Sequence, residues 1–431
     1  MTKPTTSNTT PNTPPYIAKL LVFAPVIIFL TIALFLIAID HNKGRAYFDH
    51  NHFHLPVIKG LIENFDISDY KAATAPGYHV IFASIGKLTG ANVTLFKIVN
   101  ALITSLFIGY LSFKLSTFYR PVYVLILMLP ITLSIYILPA GIWLLPDNLA
   151  WFAVAWMIFQ IDSKPFNNNQ LICIAIVLAL AVFTRQTYLW LVSMVWASGL
   201  YYLFIDKNKT YQFKYILKCT ISTGPAIIVL LSLAIIWQGL VPPSFQSIHH
   251  HISPSAPAFF FALLAIYGAF YLPVFYHSLK SRLNKKVILL GALLGFISVI
   301  FITSNYDIKA GRFGGLWNIV KVMPTIADKS LLLIILSTFG GALFMALMQI
   351  INREKRNIII IATAAFVSAM MVNQFVYERY FSGFIYILLT YLACHQNKER
   401  SFTKNHWAYS TIIVFALINT LLLYRNLNQS L

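Results

Sequence analysis

Side chains able to move protons or bind anions are few in this sequence, and one stretch holds a large share of them. Between Tyr47 and Gly77, YFDHNHFHLPVIKGLIENFDISDYKAATAPG carries Asp49, Glu63, Asp66 and Asp69, four of the 13 acidic residues, and His50, His52 and His54, three of the 11 histidines. Asp49 fits a general base that takes a proton from an acceptor hydroxyl; the alternative is a solvated loop carboxylate. The histidines alternate, a spacing that shares one side of an extended strand and spreads around a helix. His50 and His54 also have the i,i+4 spacing of a helical metal pair. No Cys or further acid is suitably spaced beside them, and imidazole N–H groups suit a lipid phosphate at least as well. His249, His250 and His251 form a second group in a later polar stretch, able to face the same cleft.

Other ionisable residues stand where apolar runs end: Asp147 in LLPDNLAWF, Arg185 in FTRQTYLW, and Glu378, Arg379 and Tyr380 in FVYERYF. Charge at a membrane boundary is costly and reads by default as functional, with snorkelling or a structural ion pair as the alternative. An arginine there suits a phosphate, because its planar fork gives bidentate hydrogen bonds.

The elements that must position these groups follow from composition. The 431 residues are 58% hydrophobic and 10% charged, with a mean hydropathy of +0.72. A soluble domain carries roughly a quarter charged residues, so the chain reads as an all-α integral membrane protein. About thirteen apolar runs approach the 20 residues that a spanning helix needs: 17–39, 94–116, 120–139, 144–161, 169–184, 187–205, 215–238, 256–276, 286–304, 329–350, 357–373, 379–395 and 407–424. They form one polytopic domain, 17–424, between a Thr/Pro/Asn-rich disordered tail, 1–16, and a C-terminal tail, 425–431. Gly77–Leu88 is too short to cross and reads as an interfacial or re-entrant helix within a long first loop, 40–93.

The net charge of +19 sits mainly in short loops between apolar runs, as the positive-inside rule places it in cytoplasmic loops. Lipid headgroups or lipid phosphates, rather than nucleic acid, are the partners this implies. With the N-terminus cytoplasmic, the long polar stretches 40–93, 239–255 and 305–328, and the turns at Asp147, Arg185 and Glu378–Arg379, all fall outside. No Gly-rich nucleotide loop is present, so an activated substrate is not a cytosolic nucleotide held by such a loop. Cys173, Cys219 and Cys394 lie in or beside apolar runs and give no disulfide framework.

The succession Phe53-His54-Leu55-Pro56, Asp69, Thr74-Ala75-Pro76-Gly77, Arg185-Gln186-Thr187-Tyr188-Leu189-Trp190 and Arg379-Tyr380-Phe381 resembles the dolichyl-phosphate-glucose α-1,2-glucosyltransferase family of asparagine-linked glycan assembly, of the GT-C class. Order and approximate spacing run from residue 47 to 395. That family opens with an acidic pair shortly before F-H-[IL]-P. Here His50 and Asn51 stand at those positions and Asp49 is the nearest acid, with Asp69 the second choice. Asp147 occupies the place of a family acid, and Glu378 is displaced by one from another.

The resemblance implies a GT-C-like bundle, a polyprenyl-phosphate-linked sugar donor, a lipid-linked or membrane-associated glycan acceptor, and inverting, metal-independent transfer without a cofactor. Its catalytic acids would be Asp49, Asp69 or Asp147. Donor phosphate would meet His50, His52, His54, Arg185, His250, Arg379 and Tyr380. The membrane is the inner cell membrane for a bacterial chain and the endoplasmic reticulum for a eukaryotic one. The competing readings are an O-antigen ligase or polymerase acting on the same carriers, and a transporter or flippase of lipid-linked sugar. The polar residues gathered in outer loops rather than mid-span weigh against transport.

Overall fold

In lipid every backbone N–H and C=O must be satisfied within the chain, so apolar runs of this length wind into helices. The computed structural model describes residues 20–205, 212–248, 252–396 and 407–428. The expected tail at 1–16 and the His249–His251 group lie outside these residues, as do 429–431 of the C-terminal tail. Each expected apolar run contains helix. Among the described residues six helices are long and apolar enough to cross a membrane: Val93–Ser116, Gln186–Phe204, Phe213–Trp237, Ala256–Lys280, Leu331–Ile350 and Trp407–Asn428. Ala24–Ala38, Pro121–Thr132 and Asn168–Thr184 are shorter apolar helices. Length and composition thus make this an all-α membrane protein, with six full-length spans among the described residues where about thirteen are expected from the sequence. A two-residue hairpin, Thr325–Ile326 against Lys329–Ser330, departs from the all-helical pattern. Its turn residues Ala327 and Asp328 both have positive φ, the geometry that matches the twist of paired strands.

Two interruptions matter for the site. The run at 120–139 breaks into Pro121–Thr132 and Ile137–Ile142, and the next helix, Asp147–Gln160, starts only after Pro146. Polar side chains satisfy the freed backbone. Asn100 donates to the carbonyls of Ala140 and Trp143, both at 2.8 Å, and Asn148 donates to that of Ile137 at 2.8 Å. Asp147 therefore sits in the first turn of a helix, where the backbone dipole favours an anion. The second interruption is at Arg185, which is extended (φ −158°, ψ 118°) between helix Asn168–Thr184 and the 3₁₀ turn Gln186–Leu191.

The bundle places charge in two layers. One holds Asp49, Asp147, Arg185 and Arg379. The other holds Asp162, Lys164, Glu354, Lys355 and His395, in which Lys355 and His395 both reach Asp162, at 2.6 and 2.9 Å, and Lys164 reaches Glu354 at 2.7 Å. Helix Arg379–His395 starts in the first layer and ends in the second, about 25 Å away for 17 residues. Between the layers Phe366 stacks on Phe384 (centroids 4.4 Å apart), and Trp190 meets both rings edge-on at 5.3 and 5.6 Å. This aromatic cluster locks the 3₁₀ turn that follows Arg185 against the helix that begins with Arg379.

The first loop is docked by Gly77. A Cβ at that position would stand 2.6 Å from both the ring and the carbonyl oxygen of Phe183, in the last turn before Arg185. Gly77→Ala is therefore expected to destabilise the fold by about 1–3 kcal/mol, the usual cost of overpacking. A melting temperature in detergent equal to that of the wild type would show that the loop does not dock there.

Candidate functional site

Asp49 ends the short helix Arg45–Asp49, and His54 ends the π-helical turn His50–His54 that follows it. Five residues apart in an α-helix would be about 140° apart around the axis. The wider i→i+5 winding of the π-turn brings positions five apart closer to one face, and Asp49 and His54 line the same cavity. The Asp49 side chain is only 7% exposed and is paired twice. Arg379 Nη1 donates to Oδ2 at 2.5 Å, and Arg45 Nε lies 3.5 Å from Oδ1. Arg379 Nε is buried with no hydrogen-bond partner among the described residues.

The second ion pair mirrors the first. Arg185 Nη1 donates to Asp147 Oδ1 at 2.9 Å, with both side chains largely buried. Tyr380 joins the two pairs: the Arg185 guanidinium lies 4.3 Å from its ring centroid and that of Arg379 5.3 Å. Two cations close to one aromatic ring are each attracted by its quadrupole, which offsets part of their mutual repulsion.

Both pairs, His54 and Tyr380 line one cavity of about 820 Å³, large enough for a substantial organic ligand. Its charged groups are Arg45, Arg185 and Arg379 against Asp49 and Asp147, an excess of one positive charge when His54 is neutral. Much of the remaining lining is apolar, including Trp190, Leu230, Val241, Phe245, Ala365 and Ala369. Leu230 belongs to helix Gln212–Trp237 and the two alanines to helix Arg353–Met371, so both helices contribute apolar side chains to the cavity that the charged pairs line.

The structure thus gathers Asp49, His54, Asp147, Arg185, Arg379 and Tyr380, and leaves other expected site residues apart. The Asp69 side chain is 72% exposed and pairs with Lys71 at 3.1 Å. His52 stacks on Phe48 (centroids 4.1 Å) on the exposed side of the π-turn. His50 is buried against Tyr47 and outside the cavity. The turn is helical rather than extended, so the three alternating histidines point three ways. Among the described residues no three of His, Cys, Asp and Glu converge as metal ligands. His250 lies outside the described residues. Glu378 is internal, accepting from Tyr136 and Tyr267 hydroxyls at 2.8 and 3.2 Å and from the Leu316 N–H at 3.3 Å.

Sequence reasoning missed Arg45 and Tyr377 in the cavity lining, and a buried chain behind His54. His79 Nε2 lies 2.9 Å from His54 Nδ1, and Tyr70 Oη lies 2.5 Å from His79 Nδ1. The only sequence signal for it was that His79 and Tyr70 belong to the same polar stretch and the helix just after it. No family model, curated protein or solved structure matches this chain.

Removing one member of a buried pair strands the other. Arg185→Ala is expected to cost about 3–5 kcal/mol by leaving Asp147 uncompensated, and Arg185→Ala with Asp147→Asn is expected to recover part of that. A double-mutant cycle of detergent melts with no coupling between the two positions would refute the pairing.

Acid should also weaken the fold. Burial, reinforced by Lys97 and Lys59, pushes the His50 imidazole down to about 3; burial, reinforced by Arg379, pushes His54 down to about 3. The unfolded chain binds these protons near pH 6.5 and the folded chain does not, so stability falls as pH drops from about 6.5 towards 3, by up to about 1.4 kcal/mol per histidine per pH unit. The melting temperature of His50→Gln should fall less steeply between pH 7 and 5 than that of the wild type. Equal slopes would mean that His50 is not buried neutral.

Proposed function

We propose that this chain is an inverting glycosyltransferase that moves a sugar from a polyprenyl-phosphate donor to a lipid-linked or otherwise membrane-associated glycan at the outer, or lumenal, membrane face. The observation that carries this reading is the cavity, whose lining combines a surplus of guanidinium with many apolar side chains. An amphipathic ligand with an anionic head suits both the charged and the apolar lining, whereas a soluble sugar nucleotide would leave the apolar side chains unused. The ordered motifs shared with the dolichyl-phosphate-glucose glucosyltransferases support the same class, since His54, Arg185, Arg379 and Tyr380 all come from them. The basic loops support a cytoplasmic N-terminus, which puts the cavity on the outer side.

In this reading the donor phosphate is held by Arg185 and Arg379, whose forks suit its oxygens. Both guanidiniums are engaged by carboxylates. A phosphate drawing Arg379 towards itself loosens that arginine's hold on Asp49. Asp49 then takes the proton of the acceptor hydroxyl as the hydroxyl oxygen attacks the anomeric carbon. The sugar–phosphate C–O bond breaks on the opposite face, and its electron pair leaves with the polyprenyl phosphate. The guanidiniums stabilise the charge that grows there, an effect worth roughly a hundredfold or more in rate for each such donor. Holding both substrates in line supplies much of the remainder.

Purified protein in detergent, given polyprenyl-phosphate sugars and a lipid-linked glycan, should transfer sugar. Asp49→Asn should lower turnover at least about a hundredfold, the usual contribution of a general base, while donor still binds. Wild-type turnover in that variant would remove Asp49 as the base. Movement of intact lipid-linked sugar across proteoliposomes, without transfer, would replace the enzyme by a transporter.

A further inference from the structure

Behind the cavity lies a buried polar chain that neither ion pair requires. Tyr70, His79 and His54 come from the first loop, from helix Gly77–Thr89 and from the π-turn, and all three are buried. Trp237 stacks on the Tyr70 ring, with centroids 6.0 Å apart and planes 12° from parallel, and donates its own N–H to the Ile67 carbonyl at 2.8 Å. Tyr70 is therefore held, and the direction of each hydrogen bond along the chain can be worked out from its end.

Tyr70 Oη has two acceptors in reach, His79 Nδ1 at 2.5 Å and the Ala75 carbonyl at 3.4 Å. A 2.5 Å contact is shorter than the roughly 2.7–3.2 Å of an N–H donor to oxygen and fits an O–H donor, so Tyr70 donates to His79 Nδ1. Burial raises the Tyr70 hydroxyl far above its ordinary range, so the proton stays on oxygen. His79 Nδ1 is then an acceptor, and a neutral His79 must carry its proton on Nε2. That N–H faces His54 Nδ1 at 2.9 Å; the ring planes are 17° from parallel with centroids 5.1 Å apart, as for two imidazoles meeting nearly edge to edge. His54 Nδ1 accepts in turn, which leaves its proton on Nε2. That nitrogen has no protein partner among the described residues, and His54 lines the cavity.

We propose that Tyr70 and His79 are positioning residues that fix His54 as a neutral imidazole presenting its Nε2–H to the cavity, where it donates to an anionic oxygen of the ligand. The tautomer follows from this chain alone; identifying the oxygen as that of a lipid phosphate rests on the functional reading above. An imidazolium at His54 would set its Nδ1–H against the Nε2–H of His79. It would also add a charge to a site that already faces Arg379 and Arg185, with His50 nearby on its own turn. Asp49 and Asp147 share the cavity, but each is already engaged by a guanidinium. His54 is consequently a donor, not a base, and proton abstraction is left to a carboxylate.

The test uses full-length protein in lipid nanodiscs with ¹⁵N-labelled histidine, the His54 and His79 ring signals being assigned by loss in His54→Gln and His79→Gln. At pH 7 both should show a protonated Nε2 and a bare Nδ1, and the His54 pattern should persist to pH 5. Tyr70→Phe should mix the tautomers, whereas His79→Gln, which can both accept and donate, should keep His54 protonated on Nε2. A His54 protonated on Nδ1 or on both nitrogens at pH 7 overturns the proposal, and so does a Tyr70→Phe spectrum identical to wild type. If Tyr70→Phe does not fold, the wild-type spectrum decides.

Titration with a short-chain isoprenyl monophosphate should shift the His54 Nε2–H resonance, and His54→Phe should weaken its binding about tenfold or more, the range for a hydrogen bond to a charged group. Binding without any shift at His54 overturns the contact. Failure of the monophosphate to bind overturns the lipid-phosphate reading of the cavity, while the unliganded spectrum still decides the tautomer.

Discussion

A carboxylate removed from water must be paired, and this constraint organises the outer layer of the protein. Asp49 and Asp147 are nearly buried, and each is held by an arginine from a distant part of the chain, 330 residues away for Asp49–Arg379 and 38 for Asp147–Arg185. Desolvated ions are tolerated only with close partners and further hydrogen bonds. The interrupted helices, the π-turn and the docked first loop are what bring those partners within reach. Tyr380 contacts both arginines and makes the pairs one unit rather than two.

Much of this unit was legible in the sequence for a physical reason. Asp147, Arg185 and Arg379 announce themselves because ionisable residues at the ends of apolar runs are too costly to be incidental. Asp49 stood out through scarcity. The positions of the helices followed from hydropathy, since the backbone has no other way to cross lipid. Where those runs are broken was harder to see: the interruption at 133–146 is made good by Asn100 and Asn148, whose side chains satisfy carbonyls that the sequence pattern cannot reveal as free.

The rest was hidden by geometry. Alternating histidines suggested a shared face, but the π-turn sends His50 inward, His52 outward and only His54 to the cavity. No periodic template anticipates a turn of that pitch. Asp69 looked equivalent to Asp49 by type and by loop, yet it is exposed beside Lys71. Tyr70 and His79 carried little signal, because nothing in a sequence shows that residues 9 and 25 apart lie in one hydrogen-bonded line. In a chain with so few ionisable residues, partner identity decides function more than residue type does, and partners are a property of the fold.

The charge balance of the cavity gives the chain behind His54 its significance. Three guanidiniums against two carboxylates leave one unit of positive charge, enough to favour an anion, and each arginine still has a carboxylate partner. A charged His54 would double that surplus inside a poorly solvated space, and it would compete with Arg185 and Arg379 for the same ligand oxygens. A neutral N–H adds a directed hydrogen bond without altering the balance. It costs little to bury, because its other nitrogen is satisfied by His79 and, through it, by Tyr70. The polar chain and the ion pairs are in this sense one solution to a single problem: presenting donors to an anion while every buried charge keeps a partner.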